Sequence, residues 1–216
     1  MMDYIIYILF ILVIIYFLIR FINILRYEIK YKNVNTNTSG CEIAQKLLDK
    51  YEVNNTYVIE TKNPFEQGYC YGRNVLKLLP SNFNGESITS IIISCYEAMK
   101  IVGEKKSLLF KIRNRLQYTI DILSILTILG IIISLILKDF YILKLCISSF
   151  FIITILNSIF SSLIANNIEM VNNFIKEESI YENKTILEEI LNTYKYYYSV
   201  QSFRAILKII LFIKAK

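Results

Sequence analysis

The chain has 216 residues, 55% of them apolar, with a mean hydropathy of +0.44 and a formal charge of +6. Its apolar residues gather into long runs, which excludes an ordinary soluble composition and points to a membrane protein. The basic residues flank those runs and form no compact basic module with a recognition motif, so the positive charge does not imply nucleic acid.

Histidine is absent altogether. That removes the usual imidazole metal ligand and the usual general base at neutral pH. Four cysteines (Cys41, Cys70, Cys95, Cys146) are scattered without C-x-x-C spacing. Cys146 falls in a membrane run and the other three in an expected cytoplasmic part, so free thiols are expected.

Tyr4 to Ile19 is an unbroken apolar run, extended past Arg20 by Phe21, Ile22, Ile24 and Leu25. About 20 such residues cross the hydrocarbon. Met1-Met2-Asp3 is not a basic n-region and no small-residue cleavage site follows, so the run reads as a retained anchor over residues 1–25. Arg20, Arg26, Lys30 and Lys32 follow it, which places the N-terminus outside and the next segment in the cytoplasm.

Residues 26–119 form the expected cytoplasmic α/β region. Ser39 caps a helix beginning near Cys41, with Glu42 and Gln45 in its first turn and Ile43, Ala44, Leu47 and Leu48 buried. Thr56 to Glu60 and Asn74 to Leu78 read as strands, with turns at Asn63-Pro64, Gly68 and Asn84-Gly85. Ser87 to Val102 is a largely buried helix. Lys105 to Tyr118 is basic and amphipathic, with Leu108, Leu109, Ile112 and Leu116 on one face. Lys105, Lys106, Lys111, Arg113 and Arg115 are the expected membrane-surface basic residues, where each gains about 1 kcal/mol near anionic lipid. The same residues also suit a plain stop signal ahead of a span.

Residues 120–164 make a transmembrane hairpin: Ile120 to Leu137 outward, a turn at Lys138-Asp139, and a return from about Lys144 to Ile164. Residues 165–195 are polar, acidic and helical, and residues 196–216 hold a last apolar run interrupted by Gln201, Arg204 and Lys208. A basic side chain at mid-membrane costs about 2.5 kcal/mol or more. That run is therefore either a span packed on the others or an interfacial helix. The fold class is an α-helical integral membrane protein with a small cytoplasmic α/β domain, mostly helix with two or more short strands.

Several collinear stretches carry a resemblance. Ser39-Gly40-Cys41-Glu42-Ile43-Ala44-Gln45-Lys46-Leu47-Leu48 is similar to the S-G-x-x-x-A-x-x-L-L opening of the bacterial membrane-bound neutral zinc metallopeptidases of the YugP type. Gly72 to Leu78 and then Ser81 to Ser87 resemble that family's basic strand and Y-N-G-x-S turn. The family's A-A-H-E-V-G-H-A helix corresponds to Ser94-Cys95-Tyr96-Glu97-Ala98-Met99-Lys100-Ile101. Its P-V-E-F-x-A-S segment, source of the third zinc ligand, corresponds to Ser161-Ser162-Leu163-Ile164-Ala165-Asn166. Ile190 to Thr193 and Tyr198 resemble the approach to its last span.

The resemblance implies a zincin-like fold and, in the family, a zinc ion. Here Tyr96 and Lys100 stand where the histidines would be, Ser162 stands where the third ligand would be, and Glu97 keeps the place of the general base. In a His-Glu-x-x-His helix the residues at i and i+4 hold zinc from one face and the glutamate takes a proton from bound water. A phenol and an ammonium, with reference pKa values of about 10 and 10.4, do not donate readily at neutral pH. No intact catalytic residue and no cofactor are expected. The reading is a peptidase-like pseudoenzyme that binds or regulates at the membrane. Its partners would be the lipid bilayer and another membrane protein, such as an active family member. Three alternatives stand beside it: an active zinc peptidase with atypical ligands, a basic membrane-surface module, and a paralogue without a role.

Overall fold

The computed structural model describes residues 2–70 and 73–199. It is mostly helical with one small sheet. α1 (Met2–Tyr31) runs without a break because no glycine or proline interrupts its 30 residues. A polar linker leads to α2 (Gly40–Lys50), which begins as expected. Ser39 accepts from the Glu42 backbone N–H while the Glu42 carboxylate accepts from Ser39 N–H, a reciprocal capping box.

The two expected strands form as β1 (Tyr57–Glu60) and β3 (Val75–Leu78), paired in parallel. Between them the structure adds β2 (Gly68–Cys70), antiparallel to β3, where the sequence reads only as a turn at Gly68. The order is β1-β3-β2, so β2 is an edge strand. A one-turn α3 (Pro80–Phe83) and the Asn84-Gly85 turn lead into α4 (Ile88–Lys106), capped by Ser87 accepting from Ser90 N–H.

α4 is the centre of the molecule. Every residue from Ile88 to Gly103 except Ile93 is buried. Ile43, Leu47 and Leu48 of α2 cover one side of it, and the sheet contributes Leu76 and Leu78. α5 (Leu108–Leu137) follows after Ser107, whose extended backbone (φ −150°) ends α4 and whose hydroxyl accepts from Leu109 N–H. The basic segment and the apolar run are one continuous helix, because nothing between them breaks it.

Lys138 (φ 56°) turns the chain, and Asp139 Oδ1 caps α6 (Phe140–Ile159) by accepting from the N–H groups of Tyr141 and Ile142. The helix of the expected return span ends at Ile159, short of Ile164. α7 (Ser161–Glu177) then departs at 47°, and its apolar face of Ile164, Ile168, Val171, Phe174 and Ile175 joins the core around α4. Packing on that core gives α7 a reason to leave the apolar run.

α8 (Lys184–Ser199) buries Leu187, Ile190, Leu191, Tyr194 and Tyr198. Glu189 ties it to α1 by accepting from the hydroxyls of Tyr27 (2.7 Å) and Tyr31 (2.8 Å), which hold its carboxyl below the usual carboxylate range. The four cysteines are free thiols. Of the last apolar run, residues 200–216 lie outside the described residues, with Gln201, Arg204 and Lys208 among them, as does Gly72 of the basic-strand motif.

α5 is long and apolar enough to cross a membrane, and the bent pair α6 and α7 passes the same test when taken together. α5 exposes Leu126, Ile132, Ile133, Leu135 and Ile136, and α6 exposes Leu145, Ile152, Ile155 and Ile159. Large exposed apolar faces of this kind mark membrane or protein contact.

Candidate functional site

The site is built from α4 outward. Tyr96, Glu97 and Lys100 occupy consecutive turns of a helix that is buried on all sides, so each polar end has to find a partner within the fold. Glu97 is 1% and Lys100 7% exposed, and Lys100 Nζ lies 2.5 Å from Glu97 Oε2. Three residues apart on a helix, the two side chains share one face, which makes the pair geometrically natural. Tyr96 is fully buried. Its ring stacks on Tyr198 of α8 at a centroid distance of 3.6 Å, and its hydroxyl accepts from Arg113 Nη2 at 3.3 Å.

α5 closes the arrangement from one side. Arg113, 2% exposed, turns inward and also donates from Nη1 to Asn114 Oδ1 at 3.1 Å. Asn114 in turn donates to the Lys100 carbonyl (3.3 Å) and to Glu104 Oε1 (2.6 Å), which fixes the start of α5 to the end of α4. Arg113 thus departs from its expected place on a surface belt. Lys105, Lys106, Lys111 and Arg115 remain exposed.

β2 closes the other side. Gly68 has φ +124°, a region that side-chain-bearing residues rarely adopt, and a Cβ there would stand 3.6 Å from Glu97 Oε2. The edge strand therefore passes directly beside the carboxylate. Between β2 and α5 lies a cleft of about 450 Å³ whose lining includes Gly68, Tyr69, Lys100, Glu104, Gln117 and Asp121.

The structure places Tyr96, Glu97 and Lys100 as neighbours on α4. Ser162 lies exposed on the first turn of α7. Sequence reasoning missed the contributions of Gly68, Arg113, Asn114, Gln117 and Asp121. One signal was available: Arg113, Gln117 and Asp121 recur every four residues and so form one polar stripe along a helix that is otherwise apolar.

The sequence has a counterpart among known families. The family model described as "putative neutral zinc metallopeptidase" matches residues 4–215. The chain belongs to that family. Neither a curated protein nor a solved structure matches it.

The family implies zinc, and the residues present do not fit that ion. Zinc needs neutral nitrogen, thiolate or carboxylate donors converging on one point with a position left open. Tyr96, which the sequence resemblance aligns with the first ligand, is a phenol already accepting from a guanidinium. Lys100, aligned with the second by the same resemblance, is a cation paired with Glu97. Cys95 is fully buried, and burial pushes its thiol well up from its ordinary pKa, away from the thiolate a metal needs. Cys95 also lies two residues from Glu97, on a different side of α4.

Proposed function

We propose that this family member does not cleave peptides and instead holds a polypeptide at the membrane in the cleft beside α4. The observation that carries this reading is the buried Lys100–Glu97 ion pair. A general base must be able to take a proton from water. A glutamate paired with an ammonium and shut from solvent is not placed to take a proton from a substrate water. The cleft remains, so binding survives the loss of the metal ligands.

The membrane setting is part of the same proposal. The exposed apolar faces of α5 and α6 support a multi-pass protein. Arg26, Lys30 and Lys32 near the end of α1, with Lys105, Lys106, Lys111 and Arg115 around the start of α5, support a cytoplasmic α/β region and an external N-terminus. The partner is another membrane protein, which the bound state would restrain or present to an active relative.

The test is a digestion assay on the full chain in detergent with added zinc and an unfolded protein substrate. We expect the same product yield as with Glu97→Gln. A yield that exceeds the variant's and is abolished by a chelator would overturn the reading.

A further inference from the structure

One group in the cleft has a demand that the fold does not meet. Gln117 is 7% exposed, lines the cleft, and has neither Nε2 nor Oε1 in a hydrogen bond. A buried amide left unpaired costs on the order of 1–3 kcal/mol by protein mutational data, so its retention calls for a compensating contact. The charges around it do not ask for an ion. Along the lining and directly behind it, Glu66, Glu97, Glu104 and Asp121 balance Lys77, Lys100, Arg113 and Arg115 in formal charge. Lys77 pairs with Glu66, Lys100 pairs with Glu97, and Glu104 accepts from Asn114. The unmet group is neutral, with one donor end and one acceptor end. Its natural complement is a peptide group.

Shape and depth narrow the ligand further. One wall of the cleft is the edge strand β2, which among the described residues pairs only with β3. Such an edge accepts an extended chain through its main-chain groups. α5 has 30 residues and is about 45 Å long at 1.5 Å per residue, against a hydrocarbon core of about 30 Å. With its apolar C-terminal end in the bilayer, the first ten or so residues stand outside, and Gln117 sits at headgroup level.

We propose that Gln117 is a recognition residue whose side-chain amide pairs with a peptide group of an extended juxtamembrane segment of another membrane protein, lying between β2 and α5. This rests on the binding role and membrane setting proposed above and names the partner's chemistry. A lipid phosphate is the competing occupant at this depth, and the balanced charge of the cleft disfavours it.

The test uses the full chain in nanodiscs and a fluorescent single-span helix carrying a short Thr/Val-rich extended juxtamembrane segment, with Gln117→Leu as the variant. Wild type binds the probe, and the variant binds about tenfold more weakly, the effect of losing two neutral hydrogen bonds. N-methylation of the probe's juxtamembrane backbone weakens wild type to the same extent. Thermal stability of Gln117→Leu is unchanged or raised, because an unpaired polar group has left a buried position.

Binding by wild type that survives both changes would overturn this inference and leave the binding role standing. Absence of wild-type binding would overturn both. A fall in melting temperature on Gln117→Leu would show that the amide serves the fold. A phospholipid retained by wild type and lost by the variant in native mass spectrometry would assign the site to a headgroup. Either result overturns the proposal.

Discussion

Replacing Lys100 with methionine is expected to lower the stability of the chain by about 3–5 kcal/mol, because it leaves the Glu97 carboxylate buried without its cation. The wild-type pair is almost wholly removed from water, at 1% and 7% exposure, and its separation is 2.5 Å. Each ion has lost its hydration, and the other repays that cost. Methionine keeps the length and volume of the lysine stem, so packing changes little and the effect isolates the charge. At this chain length the loss corresponds to a fall in melting temperature of about 10 °C.

A double replacement supplies the control. Glu97→Leu with Lys100→Met removes both charges, and an apolar pair of similar volume is expected to restore most of the stability or exceed it. Thermal unfolding of the detergent-solubilised protein measures both. Lys100→Met at wild-type stability, or a double variant no better than the single one, would mean that the pair does not fill the site as described.

Gly40→Ala is expected to cost about 1–3 kcal/mol, at the upper end of that range because the atom it meets is backbone. An added Cβ would stand 1.9 Å from the Asn82 carbonyl oxygen and 2.5 Å from Ser94 Oγ. The same place is tied by hydrogen bonds: Gly40 N–H donates to the Gly85 carbonyl at 3.0 Å, and Ser94 Oγ donates to the Asn82 carbonyl at 3.1 Å. The glycine of the Ser-Gly opening and the glycine of the Asn-Gly turn thus meet against α4, two residues before Tyr96. The substitution pushes α2 from α4, so Leu47 and Leu48, both 0% exposed, lose packing. Unfolding at the wild-type temperature would contradict this account of the motif.

Much of this was legible in the chain. Ser39 marks the start of α2 with Glu42 in its first turn, and the four-residue spacing of Ile43 to Leu47 and Ala44 to Leu48 gives its buried face. The apolar run after Ser87 reads as one buried helix, and it places Tyr96, Glu97 and Lys100 on that helix. β2 was hidden because it is three residues long and opens on Gly68, whose positive φ gives glycine its turn-like signature even at the head of a strand. The continuity of α5 was hidden because charge suggests a boundary, whereas a helix ends only at a backbone break or a cap, and residues 108–137 contain neither.

The inward turn of Arg113 and the placement of Gln117 depend on which face of α5 meets α4. The four-residue stripe puts both residues on one face of α5, and which element that face meets is a matter of tertiary packing. It follows from Asn114 anchoring to the Lys100 carbonyl and from Phe110 packing against Gly103, where a Cβ would come within 3.0 Å of the ring.

The central claim is that an ion pair occupies the position where the family holds its metal. Metal analysis of the purified, detergent-solubilised protein tests it most directly. The account predicts no stoichiometric zinc, and no change in metal content on Glu97→Gln or Cys95→Ser. Zinc near one equivalent in the wild-type protein, lost in either variant, would contradict it.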